Sequence, residues 1–141
     1  MSQPEYSPGL AGVIAGETSI CTIAGGLQYR GFAIEDLAEH ASFEEVAFLL
    51  LHGNLPTQNE LSAFRSRLGA AIDVPDEIIS ILEQIPDSAS MMDVMRTGCS
   101  LLAHWDEEAL DNSHEANIRK AERLLAQMPV LLAARHRLRR G

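Results

Sequence analysis

The groups in this 141-residue sequence able to move protons, attack a substrate or ligate a metal are five histidines, two cysteines and several adjacent carboxylates. His40, His52, His104, His114 and His136 form no H-E-x-x-H or comparable ligand pair, so no metal is expected. His52 precedes Gly53 and fits a cation near the negative end of a helix. Glu35/Asp36, Glu44/Glu45 and Glu107/Glu108 are neighbours in sequence, and adjacent side chains on a helix diverge by about 100°. Such spacing does not by itself make an acid–base pair. Cys21 and Cys99 lack C-x-x-C spacing, which points to neither zinc nor a disulfide. Gly98-Cys99-Ser100 lies in an apolar stretch without a base, so Cys99 reads as a packing thiol. There is no Walker loop, and Gly25-Gly26 lacks the strand-to-helix setting of a dinucleotide fingerprint, so no cofactor is expected. The run Arg135-His136-Arg137-Leu138-Arg139-Arg140 has no interleaved aromatics and reads as a helix end, not a nucleic-acid reader.

Whatever positions these groups is an ordinary globular chain by composition, with 46% hydrophobic and 22% charged residues. Aromatics are only 5%, which favours aliphatic helix faces over a β-sandwich. The net charge of −9 is unevenly spread. Residues 119–141 hold seven Lys and Arg against one acid, a net of +6, so the first 118 carry −15. No run approaches the ~18 apolar residues of a membrane span. Residues 1–12 have neither the basic nor the apolar region of a leader, so a cytoplasmic location is expected.

Residues 1–31 are punctuated by prolines and glycines around β-like stretches at residues 12–15, 18–23 and 27–30, with Gly25-Gly26 as a turn. They predict a small antiparallel patch. Beyond it, from residue 32 to 141, the period is helical. Ser42-Phe43-Glu44-Glu45 and Thr57-Gln58-Asn59-Glu60 are capping boxes, and Gly53 stops the first of the two helices. Pro75 and Asp76 open a further helix that Pro86 ends. Ser90-Met91-Met92-Asp93 resembles another box, opening a helix to about His104, and a last helix spans about Glu115 to Leu138, kinked at Pro129. In the helix from residue 91, Met91, Val94 and Leu101 lie on one side and Met92, Met95, Cys99 and Leu102 on another. A helix apolar on two sides calls for contacts on both.

Several whole phrases, in order and in register, resemble the citrate synthase family. They are Gly9-Leu10-Ala11-Gly12-Val13, Leu27-Gln28-Tyr29-Arg30-Gly31 and Ile34-Glu35-Asp36-Leu37-Ala38, followed by residues 43–57. Met92-Asp93-Val94-Met95-Arg96-Thr97-Gly98 and residues 120–129 complete the set. Ser90-Met91 stands where the family commonly has His-Pro.

The resemblance implies the larger-domain, nearly all-α N-terminal segment of an enzyme that condenses oxaloacetate with acetyl-CoA to citrate and CoA. In that family two histidines and an aspartate act on the substrates while arginines hold the carboxylates. All lie downstream of the matched phrases, so no catalytic or substrate-binding residue is carried over. The small catalytic domain is expected to be missing and the chain alone inactive. Methylcitrate synthase, with a propionyl-CoA donor, is an alternative within the family. A DNA-binding regulator or a non-enzymatic dimerisation module are the alternatives outside it. Because the family's subunits pair through antiparallel helices, a homodimer is expected through residues 91–104 and 115–138. Met95, Leu102, Leu124 and Met128 are its candidate contacts, and neither nucleic acid nor membrane is an expected partner.

Overall fold

A computed structural model describes Gly9 and residues 16–140. The chain divides into two compact units, residues 1–54 and 55–141.

In the first unit, strands β1 (Cys21–Thr22), β2 (Gln28–Tyr29) and β3 (Phe32–Ala33) form an antiparallel sheet in sequence order. The register pairs Cys21 with Tyr29 and Gln28 with Ala33. The expected stretch at residues 12–15 lies outside the described residues. Arg30 and Gly31, with φ of 51° and 90°, make the two-residue turn between β2 and β3. Positive φ at both positions suits the twist of a hairpin, but only glycine adopts it without steric cost. Arg30 offsets that cost through its guanidinium, which donates to Ser19 Oγ at 2.7 Å and to Leu50 O at 2.9 Å. The sheet is thereby tied to the last turn of α2.

Helix α1 (Ile34–His40) starts from Ala33 without a side-chain cap, and Leu37 is its buried residue. Helix α2 (Phe43–His52) has the predicted box in full: Ser42 Oγ accepts from Glu45 N, and Ser42 N donates to Glu45 Oε2 at 2.8 Å. Gly53 ends it in the left-handed conformation, its N–H returned to Leu49 O. The sheet shares its unit with both helices. The boundary drawn at residue 31 falls in the turn between β2 and β3.

The second unit consists of α3 (Gln58–Ala70), α4 (Asp76–Gln84), α5 (Met91–Leu102) and α6 (His114–Leu138). Thr57 and Glu60 close the second box. Ser90 does only half of the expected third one. It caps Asp93 N, but Asp93 is one methylene shorter than glutamate and takes the Ser90 hydroxyl at 2.6 Å instead of the Ser90 N–H. Helix α6 continues through Pro129.

The core is a cluster of Ile78, Leu82, Val94, Leu102 and Leu131, built by α4, α5 and α6. Gly98 is buried where α5 meets α6, and a Cβ there would stand 2.8 Å from Leu131 Cδ1. On α3, Arg67 grips the buried Glu122 of α6 with two bonds of 2.7 and 2.9 Å.

Helix α4 has no side-chain cap at its start and no basic residue in its last turn. Besides the Ile85 N–H that returns to Leu82 O, Arg135 of α6 donates to Leu82 O at 2.9 Å and to Pro86 O, just past the helix, at 3.0 Å. Arg135 is only 2% exposed. Four arginines were expected at a helix end; the end is there, but Arg135 points inward and leaves Arg137, Arg139 and Arg140 outside.

Candidate functional site

The groups first considered for chemistry do not converge. Glu45 belongs to a cap, and His40 Nδ1 lies 3.1 Å from Asp36 O. His52 occupies the last turn of α2 with its ring 4.2 Å from that of Phe48. Both cysteines are free; Cys21 is exposed and Cys99 half-buried. Among the described residues, no three of His, Cys, Asp and Glu come together in a way that could hold a metal.

A concave, charged region of the second unit lies instead where α5 runs into α6. An open cleft of about 480 Å³ is lined by Asp73 and Pro75, by Leu102 and Trp105–Glu108, and by Arg123 and Gln127. A smaller hollow of about 180 Å³ lies beside it, reaching Cys99, Ala109 and Lys120. Both are bordered by Leu102, Asp106, Arg123 and Gln127.

An ion-pair network makes this shared border. Arg123 takes Asp106 through Nε and Nη2, with its Nη2–Oδ1 bond at 2.8 Å, and Glu108 through Nη1 at 2.9 Å. Arg119 bonds the same Glu108 carboxylate from one helical turn earlier. Hydrogen bonds from Arg119, and then from Arg123, hold the Glu108 carboxyl down to about 2. Asp111 is also lowered, first through the Ser113 backbone N–H that donates to it at 2.8 Å. Bonds to Asp106 and Glu108 raise Arg123 against the opposing effect of its burial. Every guanidinium nitrogen of Arg123 is engaged with a carboxylate, so the network neutralises and braces the border. Glu107/Glu108 was considered as an acid–base pair; Glu108 is instead bound into this network.

Sequence reasoning missed this region because its pairs lie 11 to 17 residues apart and follow no helical period. The acids of 106–111 followed by the bases at 119, 120 and 123 were the available signal.

The four positions expected to meet a second copy lie in or beside the core of their own unit. Leu102 is buried in the core, and Met95, Leu124 and Met128 are half-buried against it. On the second apolar side of α5, Met95 and Leu102 pack in or against the core, Cys99 is half-buried and Met92 is exposed. The large apolar side chains that α5 and α6 leave exposed are Met92, at 71%, and Leu132, at 44%. No described helix is long and apolar enough to cross a membrane.

With the geometry established, comparison with known proteins is direct. The family model described as citrate synthase, C-terminal domain, matches residues 9–141. A 2-methylcitrate synthase from Shewanella oneidensis is 44% identical over 88% of this chain and 33% of its own length. A citrate synthase from Haloferax volcanii is 42% identical over 97% of this chain and 38% of its own. Among solved structures, citrate synthase from Pyrobaculum aerophilum superposes with a TM-score of 0.85 at 29% identity, over 94% of this chain and 36% of that one. The chain therefore spans about a third of the length of the relatives it matches.

Proposed function

The chain belongs to the citrate synthase family, and from that premise we propose that it forms the first part of the large helical domain of a carbon–carbon bond-forming acyltransferase. That enzyme condenses oxaloacetate with an acyl-CoA, either acetyl-CoA to give citrate or propionyl-CoA to give methylcitrate. The observation that carries the reading is the unbroken match from residue 9 to 141, together with the superposition of the helices on a citrate synthase. In this reading the 141 residues are scaffold. The groups that take a proton from the acyl methyl or methylene carbon and bind the oxaloacetate carboxylates belong to sequence beyond these phrases, and the chain alone is inactive. Relatives named for each product are comparably similar, so both donors remain within the proposal.

Two further parts of the reading are proposed with it. Two copies pair through α5 and α6, supported by the exposed Met92 and Leu132 on those helices. The protein works in the cytoplasm, a reducing compartment with which the free Cys21 and Cys99 accord.

The test is a graft. These residues replace the matched third of the Shewanella enzyme, and thiol release is followed with oxaloacetate and each acyl-CoA. Turnover by the graft, with none from the 141 residues alone, is the expected result. A folded but inactive graft, or turnover by the chain alone, overturns the scaffold reading.

A further inference from the structure

Between α5 and α6 the chain runs from Ala103 to Ser113 without burying a single residue. Of its two large apolar side chains, Leu110 is 95% exposed, and Trp105, at 45%, lines the larger cleft. Asn112 and Ser113 belong to the start of α6 through bonds to Ala116 and Asn117. What attaches the segment at residues 105–111 to α6 is chiefly charge: Arg123 to Asp106 and Glu108, Arg119 to Glu108, and the Lys120 ammonium to Asp111 O. Its internal turns, Ala109 N to Asp106 O and Asp111 N to Glu108 O, keep it compact and would travel with it. Asp106 and Ala109, both in this segment, line the smaller hollow that contains Cys99, and Asp106 also borders the larger cleft.

We propose that residues 105–111 are a strap latched to α6 chiefly by charge, whose release joins the two hollows and opens Cys99 to solvent. An apolar anchor would hold at any ionic strength, since burial of hydrocarbon does not depend on screening. A latch of partly exposed ion pairs does depend on it, because the screening length falls from about 10 Å at 0.1 M salt to about 3 Å at 1 M. The rest of the second unit is held by the apolar cluster of α4, α5 and α6, so the strap moves while the helices stay. The two cysteines make the motion readable, since Cys21 is exposed in the other unit and serves as an internal reference.

The experiment follows alkylation of Cys99 relative to Cys21, with amide exchange of residues 105–111, at low and at 1 M sodium chloride. It is run on the full chain and on Glu108→Gln and Arg123→Gln. Salt and either substitution should raise the Cys99/Cys21 ratio by roughly fivefold, the scale set by a few surface-type ion pairs. Amides of 105–111 should gain far more in exchange rate than those around Val94 and Gly98. Leu110→Ser, which leaves every charge in place, should change neither reading. The proposal is overturned if the ratio ignores both salt and substitution, if α5 gains as much in exchange rate as the strap, or if Leu110→Ser acts as strongly as Glu108→Gln.

Discussion

Arg135 and Leu82 are 53 residues apart, yet the guanidinium of the first donates to the carbonyl of the second at 2.9 Å inside the core. A helix C-terminus leaves carbonyls that want a donor, and α4 has no glycine or basic residue of its own to supply one. Arg135→Met keeps much of the volume and removes the donors, so it should cost about 1–3 kcal/mol in urea unfolding. Lysine cannot reproduce the fork that serves Leu82 O and Pro86 O together, and Arg135→Lys should recover less than half of the loss. Full recovery would show that charge, not shape, is what α4 requires.

Gly98→Ala tests the contact of α5 with α6. Alanine gains about 1 kcal/mol of helix propensity over glycine. Its Cβ, however, meets Leu131 Cδ1 at 2.8 Å, and overpacking a filled core costs about 1–3 kcal/mol. We expect a net loss of stability, partly relieved when Leu131→Val accompanies it. A stabilised single variant would mean that Leu131 has room to turn aside.

Glu108 gives an acid dependence with a defined sign. Its carboxyl is held near 2 in the folded protein against an ordinary value of 4.5. The stabilisation is therefore complete above about 4.5 and is lost as pH falls toward 2. Glu108→Gln should lower stability at neutral pH and flatten this part of the acid limb. The two proteins should approach each other near pH 2, as followed by helicity during thermal unfolding at each pH.

Substitution by glutamate separates folding from association. At Met95, which packs on the core, it should impair folding outright. At the exposed Met92 or Leu132 it should leave the melting profile nearly unchanged and shift sedimentation toward the monomer. If the wild-type chain sediments as a monomer at high micromolar concentration, pairing through these helices is wrong.

Local signals in the sequence located α2 and α3 closely, because a capping box is written in four consecutive residues. Helix α1 was less legible, since Ala33 has no side chain with which to announce a cap. The long pairs were not legible. Nothing near Arg67 points to Glu122, and nothing in the basic run marks Arg135 as the member that turns inward. The two-sided pattern of α5 was read correctly as a demand for contacts on more than one side. It did not reveal that α4 and α6 would cover Met95 and Leu102 within the same unit, leaving Met92 outside. The charged border between the hollows depends on how the α5–α6 connection folds back, which sequence spacing does not specify.

The cap that Arg135 provides also has an order in time. A ribosome adds about 5–20 residues per second, so the carbonyl of Leu82 is made some 3–10 seconds before its donor. Through that interval α4 lacks the Arg135 bonds at its end, and Ile78 and Leu82 lack the Leu131 against which they pack. The first unit has no such delay, because Arg30 finds Leu50 only 20 residues later. During synthesis, then, the nascent chain carries one end that can already close and an apolar helix awaiting its partner. That helix is the segment on which a holdase chaperone would find its hold.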